Sequence, residues 1–599
     1  MRSDAGRQGA AATGTTPRAR RIGGRALAAA GATLLGGSLL SACSSSSSSS
    51  AGASGNVLLV GTYNGKAGKY TTIQDAVDAA KQGDWILIAP GDYHEQADHV
   101  TPPTDPTDGN MGGVYITTPD LHLRGMNRST VVVDGTKPGS AQCSSDPAAQ
   151  DYGPAGSDGK PIGRNGILVW KADNVSIENL TACNWMQGTG DSGNPIWWNG
   201  GADSAMIGMK GYTGRYLTAT TTYYPNTTQS SVYGIYANNA AGPALWDQIY
   251  ASNFNDSGMY VGACQQVCDV TIDHAWMEYN ALGYSGTNSG GAVVVENSQF
   301  DNNADGFDTN SQIAGDDPAP QNGACPDNGT SSITHTHSCW VFIHNNVHDN
   351  NDPNAPVGTS AATLAPVGTG MTVTGGRNDT IMDDTFSNND AWGVLFIPYP
   401  DNNTPTHGQT CAGVQGSVIP GFESLGCIIE PMGDALVSNH FSNNASFGFP
   451  GNADYGMLVL TSGLPSNCFR DNTAPKGSAP ANLAQTYPTC GVTTTSATTD
   501  LLASVACAAK VLPCPTGVSY PPSTGVVMHP LPAGLPTMPD PCSGVPANAW
   551  CASGSALPGP AHGALPLAAV GGIGLAVAPL ARGTGRRRRK PAPGTDARA

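Results

Sequence analysis

SNFNDSG (252–258), AWMEYNALG (275–283) and SQFDNNADG (298–306) repeat one phrase within the stretch from Asn253 to Asn310. Phe254, Met277 and Phe300 stand 23 and 23 residues apart, each in a small polar frame. The phrase returns at irregular spacing as NNVHDNND (345–352), DDTFSNNDAWG (383–393) and SNHFSNNASFG (438–448). Short apolar or β-branched runs accompany it: Val270–Ile272, Val293–Val295, Val341–Ile343 and Val394–Ile397. A period in the low twenties with one short strand and an Asn-rich turn per unit marks a solenoid of stacked coils. A coil of that size cannot bury its own inward residues, so coils must stack as parallel strands about 4.8 Å apart. Asn suits the bends because it tolerates the left-handed region, and stacked Asn side chains extend hydrogen bonding from coil to coil.

Ahead of the repeat lies YTTIQDAVDAAKQGDWILIAPGDYHE (70–95). Ile73, Ala76, Val77 and Ala80 fall on one helical face, with Thr71 or Thr72 as N-cap. Gly83-Asp84 then turns into a first strand at Ile86–Ile88. With its repeat and this helix, the chain resembles right-handed parallel β-helix proteins of the pectate-lyase-like superfamily over residues 56–460. The resemblance implies an all-β solenoid capped at its N-terminal end by the helix. It specifies a fold rather than a chemistry.

Charge is unevenly placed. Thirteen of the 28 Lys and Arg, but only two of the 45 acids, lie before Ala26 or after Ala581, so the middle carries a formal charge of −28. Such a surface repels nucleic acid and anionic membranes, and repels a polyuronate unless divalent cations bridge the two. Of 15 cysteines, Cys43 has its own explanation and 14 remain. Cys264/Cys268, Cys325/Cys339, Cys411/Cys427, Cys468/Cys490, Cys507/Cys514 and Cys542/Cys551 lie close enough in sequence to pair locally. That usage points to an oxidising compartment, with the connectivity left open.

Residues 1–43 read as a targeting segment: basic Arg18–Arg25, apolar Ala26–Gly37, then Leu40-Ser41-Ala42-Cys43. The tetrad resembles a bacterial lipobox, which implies lipidation of Cys43, and the Ser-rich linker 44–55 is a tether of the kind an anchored domain needs. After the solenoid, 461–562 is Pro- and Cys-rich and reads as a stalk or a stapled cap. Residues 563–581 hold an uncharged stretch long enough to span a bilayer, and the basic tail 582–599 fits a cytoplasmic end. The expectation is a surface protein on the extracellular face of a cell membrane, held by its N-terminal lipid and by that C-terminal segment.

The chemistry-bearing motif is NADGFDT (303–309). It resembles a polygalacturonase fragment, which implies a catalytic Asp305, and also a calcium-lyase fragment, which implies Ca²⁺ ligands at Asp305 and Asp308 completed by Asp301 and Glu296. The hydrolase pattern wants an Asp pair one coil on, whereas Asp316-Asp317 follows Asp305 by only eleven residues, and the pattern's Gly-His-Gly and Arg-Ile-Lys are missing. For a lyase the base is sought at Arg377, with His344 and His348 as substitutes. Trp197, Trp198 and Tyr223 are the residues for stacking on sugar rings, with packing under a loop as the plainer alternative for the tryptophans. His335-Thr336-His337 lacks a third metal ligand. Two readings stay open: an enzyme acting on polysaccharide or cell-wall glycan, chiefly by calcium-assisted β-elimination, and a non-catalytic rod or glycan-binding adhesion module. Scarce Lys and Arg favour the second, while the paired Asp and the aromatics favour the first.

Overall fold

A computed structural model describes residues 55–96, 99–100, 111–201, 207–287, 289–310, 339–401, 410–412, 416–419, 423–494 and 499–552. These lie in one compact unit. Cys43 and its signal segment, nearly all of the Ser-rich linker, the 563–581 segment and its basic tail, Asp316-Asp317, Cys325 and His335–His337 fall outside the described residues. No helix among the described residues is long and apolar enough to cross a membrane.

The architecture is a right-handed parallel β-helix. One coil shows the plan: Ser289–Glu296 and Gln299–Asp301 belong to a 20-stranded sheet, and Asp305–Asn310 to a 12-stranded sheet. Each strand pairs in parallel with its counterpart one coil earlier and one coil later. The corners between strands are single residues in the left-handed region, Asn297 (φ 50°) and Asn302 (φ 56°) in this coil. Stacked equivalents of the second corner are Tyr279, Asp349, Asn388 and Asn443. A lone αL residue turns the chain most cheaply as Asn or Asp, which explains the Asn-rich phrase.

Side-chain ladders join the coils. Asn280 donates Nδ2–H to Asn303 Oδ1 (3.1 Å), Asn303 to Asn350 (3.0 Å), Asn350 to Asn389 (3.2 Å) and Asn389 to Asn444 (3.2 Å). All five are buried. Inside, Met277, Phe300, Val347, Phe386 and Phe441 stack in register. Ala251, not Phe254, pairs with Met277, so the first of these coils is 26 residues long and the next 23. Phe254 is buried three residues further on, where its N–H donates to Asn280.

The capping helix is Ile73–Ala79, with Thr72 accepting from the Asp75 N–H at 3.2 Å and Ile73, Ala76 and Val77 buried. Glu95 seals its N-terminus, accepting from Ile73 N at 2.6 Å and Gln74 N at 3.2 Å. The first strand is Val57–Val60, upstream of the expected start, paired in parallel with Trp85–Ile88. At the other end the solenoid continues past residue 460. Cys468–Arg470 and Ser478–Ala479 add parallel strands to the two sheets.

The C-terminal region does not project as a stalk. Helix Thr499–Ala508 lays Leu501, Val505 and Ala508 against Trp392, Leu395 and Leu458. The chain then runs back along the solenoid as a strap. Val527 N donates to Asn354 O (3.0 Å), and the His529 ring stacks on Tyr279 at 3.8 Å. Further back, Thr537 donates to Asn179 Oδ1 (2.9 Å), and Trp550 Nε1 donates to Lys66 O (2.9 Å) at the first coil. Cys264–Cys268, Cys411–Cys427, Cys468–Cys490, Cys507–Cys514 and Cys542–Cys551 are disulfides, as their spacing suggested. Cys143–Cys183, 40 residues apart, joins loop to strand and had no local signal. Cys339 is also disulfide-bonded, to a cysteine outside the described residues.

Candidate active site on the 12-stranded sheet

Successive residues of a strand point to opposite faces. In strand Ile196–Asn199 this separates the two tryptophans expected to hold sugar. Trp198 lies in the main core with Tyr212 and Trp246, so it cannot stack on a ligand. Trp197 packs in a separate cluster on the other face with Leu168 and Tyr236. It too is fully covered: Tyr236 stacks on it at 5.0 Å and Asn238 accepts its indole N–H at 2.7 Å. Tyr223 is half-buried beside Tyr152.

Parallel register carries the outer row of this sheet through the coils in one order. It reads Tyr115, Leu168, Trp197, Tyr236, Tyr260, Ser285, Asp308, Thr372, Leu395. An aromatic strip thus leads directly into a polar one. Tyr233 joins the strip, 4.6 Å from Tyr236 and 4.9 Å from Tyr260 between ring centres. Tyr115, Tyr233 and Tyr260 are half-buried and present surface.

In the polar part the motif's two acids come together. Asp305 is fully buried and Asp308 half-buried. The Thr372 hydroxyl lies 3.0 Å from Asp305 Oδ2 and 2.7 Å from Asp308 Oδ1, and Thr374 donates to the same Asp308 oxygen at 2.5 Å. A hydroxyl has one proton, so Thr372 donates to one carboxyl and accepts from the other. One acid of the pair therefore carries a proton. Burial, then the Asp308 charge, pushes Asp305 well above the usual carboxylate range, so Asp305 holds it. Burial raises Asp308 to about 6 against hydrogen bonds from Thr374 and Thr372 that lower it. Asp256, nearly fully buried, is also raised to about 6 by burial. The nearby Ser360 and Ser257 hydroxyls oppose the rise, and the Asp308 charge adds to it.

The other expected site residues are elsewhere. Glu296 and Asp301 sit on the 20-stranded sheet, cut off from Asp305 by the αL corner at Asn302. Asp301 is occupied there, accepting from Trp276 Nε1 (2.7 Å), Gln299 Nε2 (2.9 Å) and Asn302 Nδ2 (2.6 Å). The four-residue calcium set is thereby halved. Arg377 is fully buried, and the carboxylates of Asp434 and Glu430 act on it while burial lowers it to about 10. A guanidinium held inside the solenoid cannot reach a polymer as base. His348 pairs with Asp349 at 2.8 Å on the 20-stranded sheet, and His344 occupies an exposed corner there. What the motif did not reveal is Asp256, Thr372, Thr374 and the tyrosines. The recurrence of Tyr233, Tyr236 and Tyr260 at near-coil spacing was the available signal.

No protein-family model matches the chain, and no curated protein matches it. Solved structures do. The A-module of the Azotobacter vinelandii mannuronan C-5 epimerase AlgE4 is 13% identical at TM-score 0.38, covering 67% of this chain and 89% of that one. Pectate lyase Pel9A is 12% identical at TM-score 0.33, covering 72% and 82%. The tailspike of E. coli bacteriophage HK620, solved with a pentasaccharide, is 12% identical at TM-score 0.32, covering 65% and 55%.

Proposed function

We propose that this chain is an exported polysaccharide-cleaving protein whose groove is the outer face of the 12-stranded sheet. The observation that supports it best is the single Thr372 hydroxyl shared by Asp305 and Asp308. Acid–base catalysis wants carboxyls that exchange protons near the working pH. Asp308, half-buried at about 6, is the group placed to meet substrate. In this reading Asp308, which below about pH 6 carries a proton as well, gives it to the leaving glycosidic oxygen as the C–O bond breaks. Asp256 takes the proton of the attacking water. Asp305, through Thr372, is a positioning residue that restores the Asp308 proton. The disulfides fit an extracytoplasmic site of action, and the anchoring expected from Cys43 and 563–581 belongs to the same proposal.

Calcium-assisted β-elimination is the second reading. Asp305, Asp308, Thr372 and Thr374 form an oxygen-only set, which suits a hard cation. Ca²⁺ held by Asp305 and Asp308 would supply neutralisation of a substrate carboxylate. With Arg377 withdrawn, the base for that route has no assigned residue.

The test is incubation of the purified protein with a panel of polysaccharides, with and without Ca²⁺ or EDTA. New reducing ends without an ultraviolet-absorbing unsaturated product support hydrolysis, with a rate that falls as pH rises above about 6. Calcium-dependent unsaturated product establishes the second reading instead. No cleavage of any polymer, with wild type and Asp308→Asn indistinguishable, overturns both.

A further inference from the structure

The outer row carries more than a reaction centre; its order around the acids has a direction. On the side of the C-terminal coils, Leu395 follows Thr372 and is packed beneath helix Thr499–Ala508. On the side of the N-terminal coils the row continues through Tyr260, Tyr236 and Trp197 towards Tyr115; Tyr260 and Tyr115 are half-buried, while Tyr236 and Trp197 are buried among their neighbours. The phenols of that strip face the protein: Tyr260 Oη lies 3.3 Å from Thr287 O, and the Tyr233 phenol lies beside Asp256. What they offer to a ligand is ring surface. Stacked strands advance about 4.8 Å per coil, a step comparable to one sugar residue. A polymer along the solenoid axis therefore meets the half-buried rings of Tyr260 and Tyr233 next to the acids and that of Tyr115 several coils further on.

The charge that acts on the acids beside this strip is negative. The neighbouring charge acting on both Asp256 and Asp305 is that of Asp308, and the middle of the chain carries 43 of the 45 acids against 15 basic residues. A polymer bearing a carboxylate on every sugar would bring like charge against carboxyls already short of solvent. Aromatic rings gain from apolar sugar faces whether or not the sugar is charged. Resting on the cleavage reading above, we infer that the groove takes an uncharged polysaccharide, bound along the axis with its longer arm on the tyrosine strip towards the N-terminal coils.

The experiment measures binding separately from cleavage, using full-length Asp308→Asn protein in EDTA. Affinity electrophoresis or calorimetry compares soluble starch, dextran, galactomannan and xyloglucan with polygalacturonate and alginate. At least one neutral polymer is expected to bind about tenfold or more tighter than either polyuronate. Tyr260→Ala is expected to weaken that binding about tenfold, while Arg215→Ala, on the other sheet, leaves it unchanged. Tyr260→Phe keeps the ring and should retain affinity, which separates stacking from a folding defect. A polyuronate that binds as tightly in EDTA, no binding to any neutral polymer, or indifference to Tyr260→Ala overturns the inference. Neutral-polymer binding without cleavage by wild type leaves it standing and removes the catalytic reading. Cleavage of polyuronate alone does the reverse.

Discussion

The two outer faces of the solenoid are made by the same repeat yet treat charge in opposite ways. On the 20-stranded sheet, acids meet bases: Arg124 binds Glu178 at 2.5 Å, and Arg215 binds Asp247 at 2.9 Å. Arg128 donates to Thr218 Oγ1 at 2.7 Å and to the strap's Pro536 O at 2.9 Å. The strap also accepts from Arg124 at Ser543 O (2.6 Å), so the cations are roofed as well as paired. The exceptions there include Glu278, Glu296 and Asp301, all raised by burial, Glu278 to about 7 although the Tyr250 hydroxyl donates to it at 2.6 Å. On the 12-stranded sheet, Asp256, Asp305 and Asp308 are desolvated together, helped only by hydroxyls and a backbone N–H. One face has spent its charges on structure. The other holds them ready to change protonation, the usual mark of a functional site.

The contrast is broken most strongly by neutralising one residue on each face. Asp308→Asn should lower cleavage by about 100- to 10,000-fold, read from reducing-end release, while circular dichroism stays native. Glu178→Gln should leave cleavage intact but cost about 3 kcal/mol in denaturant unfolding, because it strands a buried Arg124. If Glu178→Gln instead abolishes cleavage at unchanged stability, the division of labour between the faces is wrong.

Smaller effects sharpen the comparison. Asp308 has a folded-state pKa raised to about 6, so between the ordinary carboxylate range and pH 6 the folded state binds more protons than the unfolded state. Its contribution to stability is therefore present at low pH and lost as pH rises through about 6. Asp308→Asn should accordingly stabilise the protein at about pH 7 by on the order of 1 kcal/mol and give no gain near about pH 4, measured as paired melting curves. His529→Ala, which removes the strap's stack on Tyr279, should cost about 0.5–1.5 kcal/mol and leave cleavage unchanged. A large loss of cleavage there would tie the strap to the site.

Much of the fold was legible because it is local. The αL corners select Asn and Asp one residue at a time, and the capping helix declares itself by Thr72 and its Ile73-Ala76-Val77 face. Disulfides separated by 4 to 22 residues could be read from spacing, unlike Cys143–Cys183. Within the site, Asp305 and Asp308 were legible because one strand carries both. Glu296, Asp301, Trp198 and Arg377 were not, because nearness in sequence does not say which side of a corner or of a strand a residue occupies.

The amino-acid sequence by itself thus determined a stacked-coil β architecture, its Asn corners, its helical cap and one pair of acids. The tertiary structure alone decided which residues share a face. Coil length varies from 23 to 26 residues even between neighbours, and a register shift of one residue turns every side chain to the opposite face. Only the stacked register could bring Asp256, Asp308 and Thr372 together from three different coils, beside tyrosines from one of these and from the coil before it.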